Sequence, residues 1–332
     1  MYSVIDTYGD DLTKKQYITN PAIARDEEIK RAIVILLTPE KSALLVGKPG
    51  IGKTAIVEGI SYLIQRNEVP DALKGYRIVR LNSTSLLGTM TIDGREVLVA
   101  NQLVQELKTV DKTILFIDEI HMLIGSKEDG PMDLANILKA GLDRGDIKVI
   151  GATTTVEYET YILRDRAFLR RFEKVDVLEP DEATTVKILM GTIPKMEKQT
   201  GVKVKYNSYV TELLVRAIVS ATSEFKRVYG IAAMYPDVAL SVLSQAFSNA
   251  LYNNKKEADV LDFYTAIKSS RKIYPDSIIK ELEQFRETFK DLCNQENVVL
   301  PIVKLEDLEK EQTSLWLILY YMNLKFHKTL VI

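Results

Sequence analysis

GKPGIGKT at residues 47–54 decides the fold, and ILFIDEIH at residues 114–121 completes the reading. The first stretch has the GxxxxGK[ST] spacing, in which glycines let successive backbone N–H groups wrap a phosphate chain at the start of a helix. Gly47, Lys48, Pro49, Gly50, Ile51, Gly52, Lys53, Thr54 and the following Ala55 are therefore the expected phosphate cradle. Lys53 is placed to neutralise the β and γ phosphates, and Thr54 to bind Mg²⁺. The second stretch is an apolar run, Ile114 to Ile117, ending in two carboxylates. That pattern predicts a buried parallel strand. Asp118 is then the metal-side carboxylate and Glu119 the base that orients water. ATP and Mg²⁺ are the expected cofactors, and ATP hydrolysis the expected reaction.

Working outward, the chain alternates between strand and helix. Residues 26–37, DEEIKRAIVILL, predict a helix whose acidic first turn suits the positive dipole end and which Pro39 stops. Ala43–Val46 is a short buried strand, and the apolar spacing of residues 54–66 predicts a helix packed on a sheet. Strands follow at Tyr76–Leu81, Thr113–Ile117, Lys148–Thr153 and Lys174–Leu178, with helices at Glu96–Lys108 and Met132–Leu142. Such alternation implies a five-stranded parallel sheet covered on both faces, with the ligand at the carboxyl ends of the strands. After Pro180 the pattern turns helical, with breaks at Gly201, Gly230 and Pro236. The expected domains are an α/β nucleotide-binding domain over 1–180, a helical domain over 181–275 and a helical tail over 276–332. No internal repeat or low-complexity segment is visible.

Composition narrows the function classes. The 332 residues are 46% hydrophobic and 27% charged, ordinary for a globular chain with one large core or two modest ones. A net charge of −2 gives no general pull toward nucleic acid or anionic membrane. One cysteine, Cys293, excludes an internal disulfide framework, and two histidines, His121 and His327, cannot build a zinc cluster without more ligands. The acidic start MYSVIDTYGDDLTKK is unlike a signal peptide, so a reducing, cytoplasmic setting is expected.

Motif order now points to a family. GKPGIGKTAIVEGI, LKGYRIVRLN, ILFIDEIH, DLANILKAGLDRGDIKVIGATTTVEYE, RAFLRRFEKVDVLEP and YPDVALSVLSQA, in that sequence, resemble an AAA+ module, more narrowly the first ATPase module of the Clp unfoldases and disaggregases. The likeness runs from about residue 8 to about residue 250. It implies a P-loop α/β sandwich followed by a helical lid, nucleotide between them, and assembly of copies into a ring, usually a hexamer. By the same resemblance the backbone around Ile23 and Ala24 flanks adenine, and Thr153 or Thr154 is the sensor of the γ-phosphate. Arg170 and Arg171 match arginines that reach into the neighbouring subunit's ATP. Taken alone that pair reads as surface charge; in this motif order the trans role is expected, since guanidinium spreads positive charge over a phosphoryl transition state.

The departures matter too. Threading relatives carry an aromatic residue in a loop after the second strand; here the stretch is GTMTIDGRE, residues 88–96, which leaves Met90 or Ile92 to grip a polypeptide. Val238 stands where the family commonly has a basic residue near nucleotide. Residues 277–293 have the apolar spacing of an amphipathic helix through Ile279, Leu282, Phe285, Phe289 and Leu292. LWLILYYMNL, residues 315–324, is far shorter than the roughly 20 residues of a membrane span and reads as a buried helix. The expected function is ATP-driven remodelling of a protein client or adaptor. The alternatives are an AAA+ switch or motor for a DNA transaction, which is less favoured, and an ATP-controlled assembly scaffold.

Overall fold

Buried apolar strands build the platform on which the cradle sits. The computed structural model describes residues 3–92, 94–107, 109–123, 147–230 and 234–303. These divide into two compact units, residues 1–195 with 230–237, and residues 196–229 with those from 238 onward.

In the first unit, strands β1 (Gly9–Asp11), β2 (Ser42–Val46), β3 (Arg77–Asn82), β4 (Thr89–Ile92), β5 (Arg95–Leu98), β6 (Thr113–Asp118), β7 (Lys148–Thr153) and β8 (Phe172–Asp176) are formed. The main sheet runs in the order β1-β3-β6-β7-β2-β8. Its five parallel strands are the five expected from sequence; β1 is added as an antiparallel edge, pairing Gly9 with Leu81. Every residue of β2 is buried, as parallel strands covered on both faces require. One face carries helices Asp26–Leu37 and Lys53–Gln65, packed through Ile29, Ile33, Ile56 and Ile60. The other carries helix Val99–Leu107, packed through Leu103 and Val104. Both β2 and β6 end at the same edge of the sheet, so the phosphate loop and the carboxylate pair arrive together.

Three expectations shift. The helix predicted from Glu96 begins at Val99, because Gly94, at φ +76°, folds the chain back into a β4–β5 hairpin with Ile92 opposite Arg95. Met90 in that hairpin is half-buried and packs against the hydrophobic core. The last strand lies two residues earlier than predicted, Phe172 pairing with Ser42. The helix predicted over Met132–Leu142 lies outside the described residues.

The second unit is helical. Helices Ser208–Tyr229, Asp237–Tyr252 and Val260–Ser269 contribute to it, along with a short parallel bridge between β9 (Lys203–Val204) and β10 (Glu257–Ala258). Residues 277–293 form two helices rather than one, Ile278–Thr288 and Lys290–Glu296, separated at Phe289 (φ −104°, ψ 14°). The buried stripe is Ile278, Leu282, Phe285, Phe289 and Cys293, while Ile279 and Leu292 stay half-buried. The Tyr264 and Phe285 rings meet edge-on at 5.7 Å, and the Tyr206 hydroxyl donates to Glu296 at 2.9 Å. Cys293 is thus core. The run at 315–324 lies outside the described residues. Among the described residues no helix is long and apolar enough to cross a membrane.

Candidate active site

The phosphate loop leaves β2 and reaches helix Lys53–Gln65 through two left-handed glycines, Gly50 at φ +75° and Gly52 at φ +99°. Those conformations strain any side-chain-bearing residue, which explains glycine at both places. A Cβ on Gly50 would also come within 2.9 Å of the Asp237 Cβ, so Asp237 packs directly on the loop. A Cβ on Gly52 would meet only the Ala55 methyl, at 3.9 Å, leaving that side of the loop open.

A cavity of about 370 Å³ opens beside the loop, lined by Pro49, Gly50, Gly52, Lys53, Thr54, Asp118, Glu119, His121, Thr153 and Thr154. The Lys53 ammonium is turned inward, donating to the carbonyls of Gly47 at 2.7 Å and Lys48 at 3.0 Å. Burial draws its pKa below the ordinary lysine value, and the Asp118 and Glu157 carboxylates counter part of that shift. The Thr54 hydroxyl and an Asp118 oxygen face each other at 3.5 Å. Glu119 is exposed and held at φ +50°, and its amide donates to Asp118 at 3.0 Å. A strained backbone at such a position marks a functional residue more often than a random one.

These groups fit a magnesium triphosphate: a half-buried cation that among the described residues donates only to carbonyls, a hydroxyl facing a carboxylate, and an amide-lined loop open on one side.

The two sensor candidates part company here. Thr153 is 1% exposed and its hydroxyl lies 3.0 Å from His121 Nδ1, whereas the Thr154 hydroxyl caps the next helix by accepting from the Glu157 amide at 3.4 Å. Ile51 is buried in the core and contributes its backbone rather than its side chain. Lys48 is exposed, and Ala55 sits in the first helical turn. Ile23 packs where a Cβ on Gly191 would collide with it, and Ala24 is left-handed at φ +55°. Arg170 and Arg171 do not line this cavity: Arg170 is exposed, and Arg171 pairs with Glu40 at 3.6 Å. Val238 is 1% exposed, a core residue rather than a nucleotide contact.

Sequence reasoning missed one residue of consequence. Arg25, 5% exposed, donates to Glu28 at 2.7 Å, to the Leu178 carbonyl at 2.9 Å and to the Ile51 carbonyl inside the phosphate loop at 2.6 Å. A signal was present: a cation just ahead of a helix N-terminus opposes the helix dipole, so something else has to hold it there.

The model of the ATPase family associated with various cellular activities (AAA) matches residues 43–177. The chain is 40% identical over 250 residues to the chaperone protein ClpB of Staphylococcus epidermidis, covering 74% of this chain and 28% of that relative. To ClpB of Porphyromonas gingivalis it is 34% identical over 323 residues, covering 95% of this chain and 35% of the relative. Among solved structures it resembles Saccharomyces cerevisiae Hsp104 in a casein complex, at TM-score 0.64 and 34% identity, covering 78% of this chain and 43% of that one. It also resembles the Hsp104–ADP complex, at TM-score 0.65 and 32% identity, covering 87% and 49%. The chain thus spans about a third or less of the curated relatives it matches.

Proposed function

The chain is an AAA+ ATPase that resembles the Clp and Hsp104 chaperones, and we propose that it couples ATP turnover to remodelling or unfolding of a protein partner, within a ring of its own copies. The observation that supports this most is the convergence of Lys53, Thr54, Asp118, Glu119 and Thr153 on one cavity, in a chain similar to an Hsp104 that was captured with casein.

Each residue's role follows from its chemistry. The amides of residues 50–55 cradle phosphate, and Lys53 exchanges its loop carbonyls for phosphate oxygens. Thr54 and Asp118 would hold Mg²⁺, which would supply charge neutralisation for the phosphates. Glu119, exposed at the cavity, orients the attacking water and takes its proton. Thr153 senses the γ-phosphate, its hydroxyl held by His121 at the cavity, while Thr154 caps the following helix. Ile23 and Ala24 flank the base. Of the two arginines, the exposed Arg170 reaches a neighbouring copy, while Arg171 pairs with Glu40. The helices of residues 181–275 act as the lid and those after 276 brace it; with Met90 packed inward, Ile92 is left as the hairpin residue that touches a client. One core cysteine suits a reducing, cytoplasmic setting.

A Glu119→Gln variant tests the reading: it should bind ATP, release no phosphate and retain its client for identification. ATPase stimulation by casein, a protein without stable structure, is the expected companion result. Stimulation by DNA that fades as salt rises would move the assignment to a DNA transaction, and a Glu119→Gln form with full function would move it to a scaffold.

A further inference from the structure

His121 lies three residues beyond Asp118, on the short turn Ile120–Leu123 that follows β6, and lines the cavity beside Glu119. Its ring is half-buried and runs near-parallel to Tyr161, 16° between planes at a 6.0 Å centroid distance. Its Nδ1 sits 3.0 Å from the hydroxyl of Thr153. Among the described residues that ring is the hydroxyl's one hydrogen-bond partner. The Thr153 main chain is fixed as well, since its carbonyl accepts from the Gly47 amide at 3.3 Å.

A threonine hydroxyl has one proton to give and two lone pairs to offer. If Nδ1 accepted, the proton would be spent on the ring, and a lone pair would face an incoming phosphate. If Nδ1–H donates, the ring occupies a lone pair and the proton is free to point into the cavity. Phosphate oxygens are anionic and need donors, so the second arrangement is the one compatible with a γ-phosphate. We propose that His121 is a positioning residue that donates through Nδ1–H to Thr153 and thereby turns the threonine hydroxyl proton toward the terminal phosphate, making the site prefer a triphosphate over a diphosphate.

This rests on reading Thr153 as the γ-phosphate sensor, and the experiment separates the two claims. Binding of ADP and of a non-hydrolysable ATP analogue is measured by calorimetry on the full chain. His121→Phe keeps a ring against Tyr161 but has no donor; His121→Leu is a second donorless form should the first fail to fold. The preference for the triphosphate analogue should fall about tenfold, the scale of one charge-assisted hydrogen bond, with ADP affinity held within about twofold. His121→Asn, whose amide can donate, should restore most of the preference. Thr153→Val should show the same loss, and adding His121→Phe to it should cost nothing more, since both remove one interaction. Unchanged preference in the donorless variants overturns the proposal, as does equal weakening of both nucleotides. A Thr153→Val protein that keeps its preference while His121→Phe loses it would reject the sensor reading instead.

Discussion

Replacing Arg25 by methionine keeps the aliphatic stem in place and removes only the guanidinium, so the consequences can be worked from its three partners. The Ile51 carbonyl, accepting at 2.6 Å in a buried setting, loses its donor, as does the carbonyl of Leu178, a residue that is 72% exposed, at 2.9 Å. A buried polar group left unpaired costs about 1–3 kcal/mol; taking the upper part of that range for Ile51 and the lower for the Glu28 carboxylate, whose side chain is 17% exposed, gives a loss of about 3–4 kcal/mol. Leu178 adds little, because it is 72% exposed and its carbonyl can rehydrate. For a domain of this size each kcal/mol moves Tm by about 2–4 °C, so thermal unfolding should fall by about 6–16 °C. The loop freed at Ile51 should also bind nucleotide less well, with ADP affinity down about tenfold by calorimetry. Saturating ADP should therefore rescue less of the Tm than it does in the parent protein. A variant that melts within about 2 °C of the parent and binds ADP unchanged would show that these three bonds do not brace the cradle.

Three further outcomes follow from the same structure. Arg170→Ala should lower turnover by about 10³-fold while leaving ADP affinity intact, and mixing it with Glu119→Gln subunits should recover part of the rate, because each supplies what the other lacks; no recovery would refute donation between copies. Ile92→Ala should reduce stimulation of the ATPase by an unfolded protein, whereas Met90→Ala, which thins the core, should lower Tm and leave the stimulation ratio alone. Tyr206→Phe removes the hydroxyl that accepts from the Val260 amide and donates to Glu296, both at 2.9 Å. About 1–2 kcal/mol of stability should go with it, seen as faster hydrogen exchange across residues 290–296.

Much of this protein was legible in the chain because the deciding patterns are local. The glycine spacing of 47–54, the apolar run into Asp118 and Glu119, and the acidic start of helix Asp26–Leu37 each concern neighbours within a few residues, where backbone sterics and helix dipoles act directly. The same locality explains the misreadings. Residues 95–98 are compatible with the start of a helix, and only pairing with Thr89–Ile92 across Gly94 makes them a strand. Strand order, the antiparallel edge at Gly9–Asp11 and the inward turn of Met90 likewise depend on partners distant in sequence.

The chain by itself therefore determined the chemistry of the cradle: which residue carries the positive charge, which hydroxyl faces which carboxylate, and that a second carboxylate stands next to it. Only the folded molecule decided which bond each threonine makes, that His121 reaches across 32 positions to Thr153, and that Arg25 ties the loop at Ile51 to Leu178, 153 residues away from itself. The reason is physical: a hydrogen bond between distant segments leaves no periodicity in sequence, because its geometry is set by how sheet and helices pack and not by the residues on either side of it.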